Sequence, residues 1–452
     1  MNLPLRKITL LTLIAALVAV QVPPAQAGRS LTVGEARQLA LQFNRTYLQA
    51  VEAVKGAGAR VTMARAGALP SLNFAASYDR NLSIASFFVQ MTDSSGKTQT
   101  LDFKTGFKNS YGANVALVQP IWQGGKVFTA LSIAKDYHKY TLAIQQQAAA
   151  SVLYNCDVLF WSALLQRARL DVLQKSLEAA SHSLDVVEKQ KSQGVVSEFE
   201  VLRARVEKSN LEPQLLQAES DLKLASQRLK SFLGIPLEEE VVLVEEPLNA
   251  TTTGLPSLES LVTSALEKRP EMQQAAYVSD MSRKAISVAR ADYWPSLDAV
   301  AGYAWQSQSD RFTLSENISR SATAGFRLSI PIFTGGSTRG AVTQAIAEHN
   351  QAVLDLQQKK DDIRLEVEQA YDRLLQAKQS LDAQQSTIAL AEEGLRIANL
   401  RYESGVGTLL EVLSAQAALT QARELLAQAT FAFRTAKAGL KLATTIDVDK
   451  IQ

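Results

Sequence analysis

The chain has 452 residues, with 47 Lys and Arg against 45 Asp and Glu and a formal net charge of +2 at pH 7. This balance argues against nucleic acid as a partner, because phosphates call for a clustered basic face. Cys156 is the only cysteine and cannot form an intrachain disulfide, so a chain of this size must be held together by packing.

The first 27 residues have the pattern of a signal peptide. Arg6 and Lys7 precede an uncharged apolar stretch at 8–20, and the sequence Ala-Gln-Ala at 25–27 supplies the small residues at which signal peptidase cleaves. We therefore expect export and a mature chain that begins at Gly28. A retained membrane anchor is the less favoured alternative, because the apolar run is shorter than the about 20 residues that span a bilayer. Without this segment, 45 basic residues (47 − 2) balance 45 acidic ones.

The rest of the chain is internally duplicated. Residues 118–125 (VQPIWQGG) recur as 329–336 (SIPIFTGG), and residues 194–202 (GVVSEFEVL) recur as 405–413 (GVGTLLEVL), both at an offset of 211 positions (329 − 118 and 405 − 194). The length alone would suggest two or three domains, but the duplication predicts one architecture built from two similar halves.

In chain order, each half is predicted to contain a helix, two strands and a long helical hairpin. The predicted segments are a first repeat at 28–233, with strands at 71–86 and 106–119 and a hairpin at 124–233; a linker at 234–256; a second repeat at 257–442, with strands at 296–306 and 320–330 and a hairpin at 337–442; and a tail at 443–452. The acidic linker is expected to be solvated surface.

The hairpin regions are rich in Ala, Leu, Gln, Glu, Lys and Arg, which favour helices. A continuous helix over 124–193 would be about 100 Å long and would need partners along its whole length. The broad apolar stripe of 381–400 fits a helix with neighbours on two sides, and an ordinary two-stranded coiled coil fits the same stripe.

The predicted strands have one apolar face each, as Leu72, Phe74 and Tyr78 illustrate for the first. A length of about ten residues with this alternation is typical of a transmembrane β-strand, although any single strand would also fit a soluble hairpin packed on a helix. Because four such strands occur in two matched pairs, the transmembrane interpretation is favoured over the soluble hairpin. Four strands cannot close a membrane barrel, which needs about eight, so several chains must contribute. Three copies would supply 12 strands, and a trimer is the simplest closure.

The sequence resembles the TolC-like outer membrane efflux proteins, or outer membrane factors, over essentially the whole mature chain. The resemblance rests on the paired halves, on the strand ends Gln-Pro-Ile-Trp at 119–122 and Ile-Pro-Ile-Phe at 330–333, and on the Gly-Gly pairs that follow. It implies a mainly α fold with transmembrane β-strands, in which a homotrimer forms a 12-stranded β-barrel in the outer membrane that continues into an α-helical barrel across the periplasm. It also implies a periplasmic adaptor protein and an inner-membrane pump of the RND or ABC type as partners.

The most specific motif, at 401–413, resembles the turn at the periplasmic tip of the family's second helical hairpin. Gly405 and Gly407 are expected to adopt positive φ, and Thr408 with Glu411 has the spacing of a capping box. The residues of the first tip that correspond to this motif are Gly194, Val195, Ser197 and Glu200. Both tips are predicted to contact the adaptor.

The resemblance also suggests a gate at the tips. Three copies each of Glu200 and Glu411 around a narrow mouth would form a carboxylate ring that attracts cations and resists closure, and Tyr402 would latch adjacent helices. Helix capping and ordinary packing are the alternative roles of these residues. Some family members have a second acid and a basic residue where this chain has Ser414 and Gly407.

Other residues are placed at the two ends of the predicted barrel. The barrel-to-helix turns are predicted to contain Pro120, Gly124, Gly125, Pro331, Gly335 and Gly336, and the strands are predicted to start after Pro70 and Pro295. The loops at 81–105 and 307–319 are expected outside the cell. In the first loop, Phe87, Phe88 and Met91 either line or plug the mouth or pack locally.

No catalytic constellation is evident. His138, His182 and His349 are scattered without partners at metal-ligand spacing, so no metal, cofactor or enzymatic activity is expected. The favoured function is a passive exit duct in the outer membrane of a Gram-negative bacterium, serving a tripartite efflux or type I secretion system. The alternative is a periplasmic adaptor or a structural coiled-coil protein. The scaffold does not specify the transported substrate.

Overall fold

The computed structural model describes residues 29–92, 94–245, 247–248, 256–314 and 318–446. The predicted signal peptide lies outside these residues, as do parts of the predicted linker and tail. The elements, in chain order, are β1 (Arg29–Leu31), α1 (Val33–Phe43), α2 (Arg45–Ala66), β2 (Ser71–Arg80), β3 (Ser86–Thr92), β4 (Thr98–Lys104), β5 (Asn109–Gln123), α3 (Lys126–Ser192), α4 (Glu198–Leu233), β6 (Val241–Leu243), α5 (Leu258–Lys268), α6 (Pro270–Ala291), β7 (Ser296–Ser309), β8 (Ser319–Ser329), α7 (Ser337–Glu403) and α8 (Leu409–Thr444).

The duplication is visible in the lengths of the long helices. α3 and α7 both have 67 residues, which corresponds to about 100 Å of helix, and α4 and α8 both have 36. Within each half the two helices pack as an antiparallel hairpin, and the two hairpins meet where α3 packs against α8. The helix α8 continues to Thr444, so the predicted tail from residue 443 begins too early.

The strands β2, β5, β7 and β8 form one antiparallel sheet in that order. Because residues opposite each other in antiparallel strands share a face, the register sorts the side chains into two faces. One face is apolar and includes the rows Leu72–Leu117–Ala301–Ala324 and Phe74–Val115–Tyr303–Ala322. The other is small and polar and includes the rows Asn73–Ala116–Gly302–Thr323 and Ser77–Gly112–Gln306–Ser319.

Aromatic side chains mark both ends of the apolar face, as in membrane barrels. At the end far from the long helices, the ring centroids of Tyr78 and Tyr111 are 5.1 Å apart and those of Tyr78 and Phe312 are 5.5 Å apart. At the end next to the long helices, Trp122 and Trp294 are 49% and 62% exposed. The face between these two belts is the surface that lipid would cover.

The predicted boundaries of three strands were wrong. The strand predicted at 71–86 ends at Arg80, and the predicted loop at 81–105 contains a separate hairpin of β3 and β4. The strand predicted at 106–119 runs instead over Asn109–Gln123, and the one predicted at 296–306 continues to Ser309. Between β4 and β5, Gly106 has a φ of +137°, which is open to glycine and disfavoured for other residues.

The two halves have matching apolar cores near the middle of the long helices. In the first, α1 packs on α3 and α4 through Phe160, Leu229 and Leu233; in the second, α5 packs on α7 and α8. The linker, predicted to be solvated surface, contributes Ile235 and Leu243 to the first core, and its strand β6 pairs in parallel with β1. That part of the linker is therefore structural.

Candidate functional site

Both hairpin tips turn through the same backbone hydrogen bonds. In the first tip, Gly194 has φ +73° and its N–H donates to the carbonyl of Lys191 at 2.9 Å, while the N–H of Val195 donates to the carbonyl of Gln190 at 3.0 Å. In the second tip, Gly405 has φ +75°, and Gly405 and Val406 donate to the corresponding carbonyls at 3.0 and 3.1 Å. A glycine in the left-handed region is the usual way to end a helix, and it lets the next helix return at once.

Gly407 does not adopt the positive φ expected from the sequence. A Cβ atom at this position would lie 2.8 Å from Cβ of Arg401 and 2.9 Å from the backbone N of Tyr402. The N–H of Gly407 donates to the carbonyl of Arg401 at 2.8 Å. Glycine is needed here because the turn presses against the end of α7, and not because of its dihedral angle.

The caps of the two returning helices differ. Thr408 caps α8, since its hydroxyl oxygen accepts from the N–H of Glu411 at 3.3 Å. Ser197 stands at the N-cap of α4 but its side chain makes no capping hydrogen bond, so the predicted cap with Glu200 is absent. Lys191 and Glu198 form an ion pair across the first turn instead.

The two tips are joined by an apolar seam, which we define as Val187, Val201, Ala204, Leu409 and Leu413. Tyr402 packs on the edge of this seam, and its hydroxyl donates to Oε1 of Gln190 at 2.8 Å. This hydrogen bond connects α7 with α3 and therefore one hairpin with the other. Burial raises the pKa of Tyr402, and the negative charge of nearby Glu200 raises it further.

Glu200 lies where α4 meets the seam. Its Oε2 atom is buried and has no hydrogen-bond partner among the described residues. A buried carboxylate oxygen without a partner is energetically unfavourable, so its presence calls for an explanation beyond packing.

Glu411 is paired within its own hairpin. Nε of Arg401 donates to its Oε2 atom at 3.3 Å, and both side chains are about half exposed. Neither the pairing of Arg401 with Glu411 nor Gln190 as the acceptor for Tyr402 was predicted from the sequence. Arg401 and Glu411 each lie five positions from Val406 (406 − 401 and 411 − 406), and this symmetric spacing predicts their contact across an antiparallel hairpin.

The junctions between sheet and helices contain the predicted prolines and glycines. Pro70 and Pro295 directly precede β2 and β7. The pairs Gly124–Gly125 and Gly335–Gly336 all have positive φ, from +60° to +86°, and lead into α3 and α7. Pro331 follows the end of β8, but Pro120 lies inside β5, not in a turn. The register shifts beside Pro120, as expected of a proline within a sheet.

Comparison with known proteins identifies the chain. The family model described as "Outer membrane efflux protein" matches residues 36–235 and 261–445, which include both hairpins and all four strands of the sheet. The chain belongs to the outer membrane efflux protein family. The predictions of family, fold class, channel function and localisation are thereby confirmed, and the adaptor alternative is set aside.

Individual members of this family resemble the chain over most of its length. Protein CyaE of Bordetella pertussis is 26% identical over 406 residues, covering 89% of this chain and 81% of CyaE. Alkaline protease secretion protein AprF of Pseudomonas aeruginosa is 22% identical over 408 residues, with 89% and 82% covered. The crystal structure of the Campylobacter jejuni CmeC outer membrane channel has a TM-score of 0.75 at 19% identity, with 92% and 88% covered, and shows that the fold is shared.

As an outer membrane efflux protein, the chain is a channel-forming protein of the outer membrane that extends into the periplasm. The sheet with its aromatic belts is the membrane-embedded part, and the long helices are the periplasmic part. The family relatives belong to efflux and secretion systems. Within the described residues, no group of three or more His, Cys, Asp or Glu side chains is placed to hold a metal ion.

Proposed function

We propose that three copies of this chain form one passive exit duct. The observation that carries the proposal is the open sheet: β2 and β8 are edge strands of a four-stranded sheet whose apolar face carries Phe74 and Phe326, both at least 69% exposed. An edge strand in lipid leaves N–H and C=O groups without partners, which costs several kcal/mol for each group. Pairing β8 of one copy with β2 of the next satisfies both edges, and three copies give the 12 strands of a closed barrel.

The helices support the same assembly. α3 and α8 lie in the middle of each protomer, so α4 and α7 form its two flanks. Both flanks expose large apolar side chains, including Leu216 at 66% on α4 and Leu390 at 74% on α7. Contact between α4 of one copy and α7 of the next would bury them and close a helical barrel in line with the β-barrel.

The tips are proposed to serve both as the gate and as the docking site for a periplasmic adaptor. Val195, Phe199 and Val406 are 65% to 72% exposed at the end of the molecule that points toward the inner membrane, where an adaptor would meet them. The hydrogen bond from Tyr402 to Gln190 holds the two hairpins together at this end. Breaking it would allow the tips to separate and the mouth to widen.

The duct contains no energy source, so transport is proposed to be driven by an inner-membrane pump of the RND or ABC type. The relative AprF is named as a secretion protein for an alkaline protease. The face of the sheet that would line the lumen has small and polar residues, such as Ser77, Gly112 and Gly302. Such a face has few large side chains that would bind a passing polypeptide, so it is compatible with polypeptide export.

The test is the native mass and the single-channel conductance of the purified, unheated protein in planar bilayers. A mass of three chains with discrete conductance steps is expected. A stable monomer or dimer without conductance would overturn the proposal. Co-purification with a periplasmic adaptor, lost on Phe199→Asp but retained on Leu142→Asn outside the tips, would test the docking site separately.

A further inference from the structure

The β3–β4 hairpin is an unpaired element at the far end of the barrel. Opposite residues share a face, and the pairs Phe87–Phe103, Val89–Leu101 and Met91–Gln99 place five apolar residues on one face. We call this the apolar hairpin face, consisting of Phe87, Val89, Met91, Leu101 and Phe103. The other face has Phe88 as its one large apolar residue, with Ser86, Gln90, Thr92, Thr98, Thr100, Asp102 and Lys104 around it.

The apolar hairpin face is exposed in the single chain. Phe87 is 53% exposed, Met91 57% and Phe103 45%, and the Phe87 and Phe103 rings stack with centroids 5.7 Å apart. No other helix or strand makes extended contact with β3 or β4 in the described part of the chain. An isolated two-stranded hairpin is marginally stable in water, so this one is expected to be covered.

Lipid does not cover this face. β3 begins eight residues beyond Tyr78 (86 − 78), which stacks with Tyr111 and Phe312 in the outer aromatic belt. Such a belt marks the level at which the hydrocarbon core ends. The hairpin therefore stands above the hydrocarbon, on the side of the membrane away from the periplasmic helices.

Other copies of the same hairpin are within reach. A strand of seven residues extends about 23 Å, whereas a barrel of 12 strands spaced about 4.8 Å apart and tilted by about 40° has a radius of about 12 Å. The hairpin continues from β2, the edge strand at which one copy meets the next in the proposed trimer. The described part of the second half, which includes residues 310–314 and 318, has no equivalent hairpin. Three identical apolar faces would thus surround one mouth.

We propose that the apolar hairpin faces of three copies pack against one another around the threefold axis and constrict the outer mouth of the channel. The proposal rests on the proposed trimeric duct. The face that carries Asp102 and Lys104 is turned to the external water, and the five apolar residues of each copy form a small shared core. The channel thereby has a constriction at its outer end that is independent of the tips.

Cross-linking of single cysteines tests this arrangement. Met91→Cys lies on the apolar hairpin face and Gln90→Cys on the opposite one, and both positions are exposed in the single chain. The native Cys156 is fully buried and does not interfere. A short bismaleimide applied to outer membranes is expected to yield covalent dimers with Met91→Cys and none with Gln90→Cys or with the unmodified chain. Equal cross-linking at both positions, or none at Met91→Cys, would overturn the proposal.

Conductance provides the second measurement. Phe87→Ser should raise the single-channel conductance about twofold or more, because the constriction loosens, while the neighbouring Phe88→Ser should leave it unchanged. Trimers that conduct but show neither the cross-link nor the increase in conductance would overturn the proposed constriction and leave the proposed duct standing. Failure to form trimers at all would instead overturn the duct. Modification of Met91→Cys by a lipid-confined maleimide would place the face in the membrane and also contradict the proposal.

Discussion

The hydroxyl of Tyr402 donates a 2.8 Å hydrogen bond to Oε1 of Gln190 and so connects α7 with α3 at the tip of the molecule. The two residues are 212 positions apart, and each belongs to a different copy of the repeat. Together with the apolar seam, this hydrogen bond holds the two hairpins to each other at the periplasmic end.

Removing the Tyr402 hydroxyl should loosen the proposed gate at the tips. Tyr402→Phe keeps the ring in the seam and removes one hydrogen bond, which contributes about 0.5–1.5 kcal/mol. We expect a higher mean conductance in planar bilayers, and the same change in Gln190→Ala. The double variant should add little, because both substitutions break one contact. Tyr371→Phe, far along the same helix, is the control, and additive effects of the two tip substitutions would contradict the assignment.

The two tip carboxylates should contribute unequally to ion selectivity. Glu411 is partly neutralised by Arg401, whereas Oε2 of Glu200 has no partner in the described structure. Glu200→Gln is therefore expected to lower the cation-to-anion permeability ratio by about twofold or more, and Glu411→Gln by less. Arg401→Gln should raise the ratio. Reversal potentials in a salt gradient measure all three, with Glu198→Gln as the paired-acid control. A larger effect of Glu411→Gln would show that the pair with Arg401 does not persist in the assembled mouth.

The fold was largely predictable from the sequence because two patterns are regular in it: the duplicated motifs of the two halves and the alternation of apolar residues along the strands. The recurrence of Pro-Ile and Gly-Val located both junctions and both tips, and the alternation from Leu72 to Tyr78 identified the lipid face. The extent of the strands was less predictable. The chain between Arg80 and Asn109 contains enough apolar residues to continue a strand, so the apolar pattern did not show that β2 ends at Arg80 and that a separate hairpin follows it.

The site was predicted in its positions but not in its contacts. Gly194, Gly405, Thr408 and Tyr402 lie at the tips as expected, since the motif encodes a turn. Their partners follow from how the two hairpins pack in three dimensions. Ser197 is an example of a contact that sequence spacing does not predict. Its spacing from Glu200 matches a capping box, yet its side chain makes no capping hydrogen bond, and Glu198 pairs with Lys191 across the turn instead.

Cys156 should be chemically inert in the native protein. Burial is the main cause that raises its pKa to about 12, the adjacent Asp157 raises it further, and Arg37 opposes the shift. Because the folded pKa lies above the ordinary thiol value of 9.0, this thiol contributes stability that is fully present below pH 9 and is lost as the pH rises toward 12. We expect no labelling by maleimide at pH 8 until the protein is unfolded, with Gln90→Cys as the positive control. Rapid labelling of native trimers would contradict the burial.

The duplicated junctions allow one substitution to be compared at two equivalent glycines. Gly124 and Gly335 have φ of +60° and +62°, so alanine costs about 1–2 kcal/mol of backbone strain at either position. At Gly124 the added Cβ would also lie 2.7 Å from the carbonyl oxygen of Ala291, whereas nothing lies within 4 Å at Gly335. Overpacking should cost Gly124→Ala a further about 1–3 kcal/mol. We expect Gly335→Ala trimers to keep most of their heat resistance in detergent and Gly124→Ala trimers to dissociate at clearly lower temperature. Equal losses would show that the close approach to α6 is relieved in the assembled barrel.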